Sequence, residues 1–554
     1  MNDLQKGAVH EPPARMRRFS LLLALLLGGY LTVSLAYTVR LPMIMDEFQG
    51  ARAVLNVGRF VPYRDYPPYK TVLGYYAQLP FLALGGDLWT RMLAVKLAMA
   101  AVTAGVLGFV SYRMRRWLDD SSILVSLAML LSHSTFLERS AEFRVDMLTA
   151  LPALIGLSAV LSGAAGAAGA LTGLSFLISQ KGIYYFIAGG AALVVGMIGT
   201  HRRRSEPLIR FSLSAAVVVV AYLAFWGMVA GAAPVLQATF VGPQRVAFDS
   251  IYEIHGLAWS QTLQRNPGFY LWALLSLFLI LRMRPAGDEP RRFRTLAAYA
   301  IALTALVLYH KQPWPYFFVL WLPTLFVLSS AGAHVARRLL PKRAWRLVVA
   351  ILIIGAVLLP LARVPIVLRR DSSVQRRTVL LARQMLEVDH QYLAGVDMVW
   401  DRDQPSRDLA WLDLPRLLRF SAAEPSEVRR ILNDLRAAPV ALIIVNHRLS
   451  RLPAPLVSYL RQNFTHWSDC VFVFAPRVKP GVFELPLEGE YTNESSAAGE
   501  IDGKPIEPGE GRHLAKGRHV AAGGEFTLRL NPWHAPPPEP QRPCVDLFQN
   551  VYGF

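Results

Sequence analysis

The feature that most constrains this chain is a succession of apolar runs, each about one bilayer long, separated by short loops rich in arginine. Hydrocarbon offers no partner to a backbone N–H or C=O, so unbroken runs of this kind must close their hydrogen bonds within themselves, as helices. The first run covers about residues 19–39 and follows Arg15, Arg17 and Arg18. It has the shape of a signal peptide, with small residues at Ser34 and Ala36, but the many runs behind it make it an uncleaved signal anchor. Further runs fall near 89–112, 121–137, 145–162, 166–180, 183–200, 209–230, 267–282, 294–310, 314–334 and 345–364. Together they predict about eleven crossings. The segment "TVLGYYAQLPFLALGG" is short for a crossing and carries Gln78 and Pro80, so it is expected to lie along the outer interface as a juxtamembrane helix.

Composition supports this reading. Of 554 residues 53% are hydrophobic and only 18% charged, too apolar for a soluble enzyme of this size. The net charge of +19 comes from clusters such as "YRMRRW", "HRRRSEPLIR", "RMRPAGDEPRRFR" and "RRLLPKRAWR", which alternate with the runs so as to share one side with the amino terminus. They are topology signals rather than a nucleic-acid surface. The amino terminus is then cytoplasmic, and an odd number of crossings places the carboxyl-terminal region outside. Two cysteines, Cys470 and Cys544, make at most one bridge and exclude a cysteine-based metal site.

Four regions follow from these patterns: a cytoplasmic amino terminus (1–18), a transmembrane region (19–364), an extracytoplasmic α/β region (365–477) and a β-rich region with a tail (478–554). In the third, "SSVQRRTVLLARQMLEV" and "SEVRRILNDLRAA" have helical periodicity, whereas "ALIIVN" and "CVFVFA" suit buried strands. The fourth alternates short strand-like pieces with Gly, Pro and Asp-Gly turns, and its "HAPPPEPQRPC" is expected to be extended. The small residues of "SGAAGAAGALTG" at 162–173 should let the two helices flanking that turn approach closely.

Polar residues gather at the outer ends of the runs. The first loop carries Asp46 and Glu47 with Arg52, Arg59, Tyr63, Arg64 and Lys70. A second, "FLERSAEFRVDM", carries Glu138, Arg139, Glu142, Arg144 and Asp146; a third, "SQKGIYYF", carries Gln180, Lys181, Tyr184 and Tyr185; a fourth, "YHKQPWPYFFVLWLP", carries His310, Lys311 and Tyr316. Ionisable groups this close to hydrocarbon are costly and usually face a cavity or each other. Plainer roles are available to each: Glu138 and Glu142 as solvated helix ends, Lys70, Lys181 and Lys311 as snorkelling cations, and Tyr184, Tyr185, Trp314 and Tyr316 as an aromatic belt.

Acid and base beside a lipid phase suit one chemistry. A carboxylate takes the proton of an acceptor hydroxyl as it attacks a sugar carbon, while cations and hydroxyls stabilise a departing phosphate. A sugar carried on a lipid phosphate meets both demands, because its tail lies in the bilayer and its headgroup at the rim. The absence of a Walker loop or Rossmann fingerprint agrees with a donor that is not a nucleotide.

Taken in order, "MDE" followed by "NVGRFVPYRDYPPYK", then "ERSAEFRVD", "LISQKGIYYF" and "HKQPWPYFFVLWLP", resemble the membrane-embedded glycosyltransferases of the C-type fold over about residues 19–340. Within that group the pattern is similar to the relatives of protein O-mannosyltransferase and aminoarabinose transferase. The resemblance implies an α-helical polytopic membrane protein of the C-type glycosyltransferase fold, with outer juxtamembrane helices and a soluble extracytoplasmic domain. It implies Asp46 as the acceptor-activating base, with Glu47 adjacent and Asp146 as the acidic residue of the second loop. Lys70, Arg64, Arg144, Lys181, His310, Lys311 and Tyr316 would surround the donor phosphate. Metal dependence stays open, since Asp46, Glu47 and Asp146 could supply oxygen ligands to a divalent cation. The implied partners are a polyprenyl-phosphate-linked sugar and a protein, lipid or glycan acceptor, in a bacterial inner membrane with the chemistry on the periplasmic face. The alternative is a transporter or polymerase-type assembly protein for lipid-linked glycans. That alternative calls for ionisable residues and broken helices at mid-membrane, whereas here the charges concentrate at the outer loops.

Overall fold

Apolar runs become helices, and the length of each helix is decided by what interrupts it. The computed structural model describes residues 13–198, 205–244, 255–283, 287–311, 314–405, 407–421, 423–437, 440–531 and 542–548. The extreme amino terminus, the arginines at 202–204 and most of the proline-rich run from 534 lie outside the described residues. Among the described residues five helices are long and apolar enough to cross a membrane: Met16–Arg40, Leu88–Met114, Glu206–Ala230, Asp288–Tyr309 and Lys342–Val367. Shorter apolar helices accompany them at Asp120–Ser132, Val145–Leu161, Ala165–Ile178 and Pro267–Leu281. This is a mostly helical integral membrane protein with a β-rich carboxyl-terminal region.

In chain order the first ten helices are α1 (Pro13–Arg40), α2 (Met45–Arg59), α3 (Leu73–Leu82), α4 (Leu88–Met114), α5 (Asp120–Ser132), α6 (Ser134–Arg139), α7 (Val145–Leu161), α8 (Ala165–Ile178), α9 (Ile183–Met197) and α10 (Glu206–Ala230). The run expected at 121–137 is divided, because extended backbone at His133 ends α5, and its ring then accepts the Phe136 N–H at the start of α6. The run expected at 314–334 is divided too. Pro315 opens a 3-10 helix, Pro315–Leu320, before the Leu322–Leu339 helix begins.

The chain separates into two compact units. The first comprises the chain up to Val39, Val57–Phe81 and Ala94–Arg369. In it the glycines of α8 receive α10, while Gly156 of α7 faces the Ala168 carbonyl of α8. A Cβ on Gly169 would overlap the carbonyl of Phe211, and one on Gly173 would sit 3.0 Å from the Ala215 oxygen. The small residues expected to serve the helices on either side of the 162–164 turn therefore admit a third helix. On α10, Leu213, Val217, Val220, Phe225 and Met228 are exposed, as side chains facing lipid must be.

The second unit comprises Arg40–Asn56, Leu82–Leu93 and Arg370–Phe554. It gathers two stretches of the early chain with the chain from Arg370 on, five residues past the boundary expected at 365. Its first sheet has the order β1-β2-β4-β3, with β1 (Gln391–Leu393) parallel to β2 (Val440–Ile444) and β3 (Phe464–Ser468) and β4 (Val471–Phe474) antiparallel. The remaining strands are β5 (Arg477–Val478), β6 (Gly481–Leu485), β7 (Gly489–Asn493), β8 (Gly499–Ile501), β9 (Lys504–Ile506), β10 (Gly511–Leu514), β11 (Gly517–Gly523) and β12 (Phe526–Asn531). They form two four-stranded sheets, β10-β7-β12-β5 and β6-β11-β8-β9. The turn joining β8 to β9 is Asp502-Gly503, with φ of 51° and 76°, the doubly positive pair that a two-residue hairpin demands. Cys470 and Cys544 form a disulfide across 74 residues.

Candidate functional site

In the first unit the polar loops converge on Asp146. It lies in the first turn of α7, is almost fully buried, and has both carboxylate oxygens engaged. Lys181 Nζ donates to Oδ1 at 2.6 Å and Arg144 Nε to Oδ2 at 3.0 Å, while Lys70 Nζ stands 3.8 Å from Oδ2. Three cations thus face one carboxylate. Such an arrangement is costly among apolar helices and marks the cluster as a candidate site.

Each cation is held by its own piece of backbone. Lys181 sits in a 3-10 turn, Gln180–Gly182, between α8 and α9. Gly182 is needed there because a Cβ would collide with the backbone of Ser175 and Phe176; the close approach is to the chain itself. Lys70 follows the Pro67-Pro68 pair, and the next residue, Thr71, donates its hydroxyl to the Phe176 carbonyl at 3.0 Å. Arg144 is the residue before α7, and its carbonyl accepts Gln78 Nε2 at 3.2 Å from α3. Aromatic rings floor the cluster. The Arg144 guanidinium lies 3.4 Å from the Tyr316 ring centroid, and Lys181 Nζ is 5.8 Å from Tyr316 and 5.2 Å from Phe317.

The other expected site residues distribute as follows. His310 stacks on Phe317 at 4.0 Å and its Nδ1 meets the Tyr184 hydroxyl at 2.9 Å. Lys311 is half-buried in the loop before the 3-10 helix. Arg64 is exposed and pairs with its neighbour Asp65 at 2.9 Å rather than with Asp146. Glu138 and Glu142, one of whose expected roles was a solvated helix end, are buried: Arg139 bonds Glu142 at 2.5 Å and stands 3.8 Å from Glu138, as does Arg265. Asp46 and Glu47 belong to the second unit, in the first turn of α2, where negative charge suits a helix amino terminus. Glu47 is buried and accepts the Ile44 N–H at 2.9 Å, reaching back across the turn to cap the helix.

One feature that patterning did not single out braces the Lys70 loop. Tyr63, at φ 67°, and Tyr222 of α10 share a hydrogen bond of 2.5 Å, and the Tyr222 hydroxyl also accepts the Val72 N–H at 3.1 Å. Its only sequence signal is a tyrosine inside the otherwise apolar "AVVVVAYLAFWGM".

Among the described residues no group of three or more His, Cys, Asp or Glu could hold a metal ion.

The fold is structurally similar to that of solved membrane glycosyltransferases of the C-type fold. The crystal structure of ArnT from Cupriavidus metallidurans bound to undecaprenyl phosphate matches with a TM-score of 0.50 at 16% identity, over 84% of this chain and 93% of that one. The archaeal oligosaccharyltransferase AglB from Archaeoglobus fulgidus, in complex with an inhibitory peptide and a dolichol-phosphate, gives 0.49 at 12% identity over 89% and 74%. Arabinosyltransferase EmbB from Mycobacterium smegmatis gives 0.40 at 13% over 71% and 36%. No family model and no curated protein sequence matches the chain.

Proposed function

We propose that this protein is a glycosyltransferase that moves a monosaccharide from a polyprenyl-phosphate carrier to a protein, lipid or glycan acceptor at the periplasmic face of a bacterial inner membrane. The observation that carries this reading is the convergence of Lys70, Arg144 and Lys181 on buried Asp146 beside the Tyr316 ring. Sequence-level topology, with about eleven crossings, puts these residues on the outer side together with the first loop.

The donor phosphate is a diester with one negative charge. As the bond from the sugar's anomeric carbon to the phosphate oxygen breaks, the phosphate leaves as a monoester and gains negative charge. Lysines and arginine already in place meet that charge without reorganising, which is the condition under which electrostatic catalysis is strongest. The acceptor hydroxyl forms the new bond to the anomeric carbon, and its proton passes to a carboxylate. Asp46 is assigned that role on the first-loop motif, with Glu47 beside it capping α2.

Incubation of the purified chain with a panel of radiolabelled polyprenyl-phosphate sugars tests the proposal. Transfer or hydrolysis of one donor, lost in Lys181→Gln, is the expected result. Failure to bind or consume any donor, with vectorial movement of a lipid-linked glycan in its place, would favour the transporter.

A further inference from the structure

The second unit answers what the carboxyl-terminal domain is for. Its tail is tied back by the Cys470–Cys544 disulfide, and beyond Cys544 it reaches the first loop directly at Phe48 and, through the side chain of Gln375, at Met43. Three residues before Asp46, the backbone of Met43 is gripped by one side chain. Gln375 Oε1 accepts the Met43 N–H at 2.8 Å, and Nε2 donates to the Met43 carbonyl at 3.0 Å. The same Nε2 donates to the Leu547 carbonyl at 3.2 Å, so one buried amide joins the tail to the loop. Two residues after Asp46, Phe48 packs edge-on against Phe548 with centroids 6.3 Å apart. Phe548 is itself set by His447, at 6.0 Å, and by its own N–H bonding Asp546 at 3.0 Å. Farther along α2, Arg52 donates to the carbonyls of Trp400 and Arg402, each at 3.2 Å, and pairs with Asp403.

Met43, Phe48, Gln375 and Leu547 are buried. A helix of α2's length is marginal by itself in water, so its first turn keeps a single geometry only through such contacts. We propose that Gln375 and the disulfide-anchored segment Cys544–Phe548 are positioning elements for Asp46: they fix the backbone on both sides of it and thereby the direction of its carboxylate. This rests on the reading of Asp46 as the base, but the clamp itself is independent of turnover.

The test uses the full chain in detergent. Hydrogen exchange at residues 43–48 is compared in wild type, Gln375→Ala, Phe548→Ala, Phe548→Leu and the Cys470→Ser/Cys544→Ser pair. Loss of a buried hydrogen bond should speed exchange there by roughly tenfold, with protection of β7 and β12 unchanged. Transfer assays on the same proteins should show kcat lowered by about 10²-fold at unchanged donor KM, as expected when a reacting group is displaced by about 1 Å. Phe548→Leu should recover most of what Phe548→Ala loses. Exchange at 43–48 equal to wild type in both Gln375→Ala and the cysteine pair would overturn the clamp, and faster exchange with kcat unchanged would overturn its positioning role. A wild-type chain inert toward every donor would remove the transferase reading while leaving the exchange result to decide the clamp.

Discussion

Lys181 Nζ and Asp146 Oδ1 lie 2.6 Å apart although 35 residues separate them in the chain. The lysine stands at the end of one apolar run and the aspartate at the start of another, and only the packing of α7 on α8 makes them partners. In the proposed reaction Lys181 is the cation that meets the donor phosphate and Asp146 the carboxylate that holds it in place.

Lys181→Gln should therefore both raise donor KM and lower kcat, with a combined loss of about 10²–10³-fold in kcat/KM, because a neutral amide cannot meet the charge that develops on the departing phosphate. Lys181→Arg should recover part of it. Steady-state kinetics in detergent measure both, and wild-type values for Lys181→Gln together with Lys70→Gln would remove the phosphate-binding assignment.

Asp46→Asn and Asp146→Asn should fail in different ways. Loss of a positioned base lowers kcat by about 10²–10⁴-fold, so Asp46→Asn should retain donor binding and thermal stability. Asp146→Asn strips the counter-charge from three cations, and breaking a buried ion pair costs about 3–5 kcal/mol. That variant should melt earlier and bind donor abnormally. Melting curves and donor-binding isotherms on the two proteins separate these outcomes, and identical profiles would contradict the division of roles.

Asp397, in the carboxyl-terminal domain, supplies a pH signature. Burial pushes its carboxyl up to about 6, with the Arg52 charge and a hydrogen bond from Gln404 opposing the shift and Asp403 adding to it. A folded-state value above the unfolded one of about 3.9 means that the neutral acid is the form the fold prefers. Its contribution is complete below about pH 4 and is lost as pH rises through about 6, by an amount on the order of 3 kcal/mol. Asp397→Asn keeps the shape and an acceptor for Gln404 without the ionisation. The variant should gain on wild type in melting temperature between pH 4.5 and pH 7.5, and parallel profiles would refute the assignment.

Topology is open to direct labelling. A cysteine at exposed Lys516 should react with an impermeant maleimide added from outside intact cells, and one at exposed Arg343 only after permeabilisation. The reverse pattern would place the candidate site in the wrong compartment and withdraw the proposed reaction.

The uninterrupted apolar runs determined, without any tertiary information, that the chain is a helical membrane protein, since a bilayer leaves the backbone no other economical choice. Strand and helix periods beyond 365 likewise announced a mixed soluble region, and "IDGK" its hairpin, because these signals are local. Charge at run ends marked Lys70, Arg144, Asp146 and Lys181 as candidates one by one. What local pattern could not supply was who meets whom. That Asp146 collects three of those cations, that Arg64 turns to Asp65 instead, that Glu47 spends its carboxylate on the Ile44 N–H, and that Gln375 holds Met43 from 332 residues away were decided only by tertiary packing. The physical reason is range: a hydrophobic period is written within a few turns of chain, whereas a hydrogen bond or ion pair forms wherever the folded backbone brings donor and acceptor within about 3 Å, and separation along the sequence carries no trace of it.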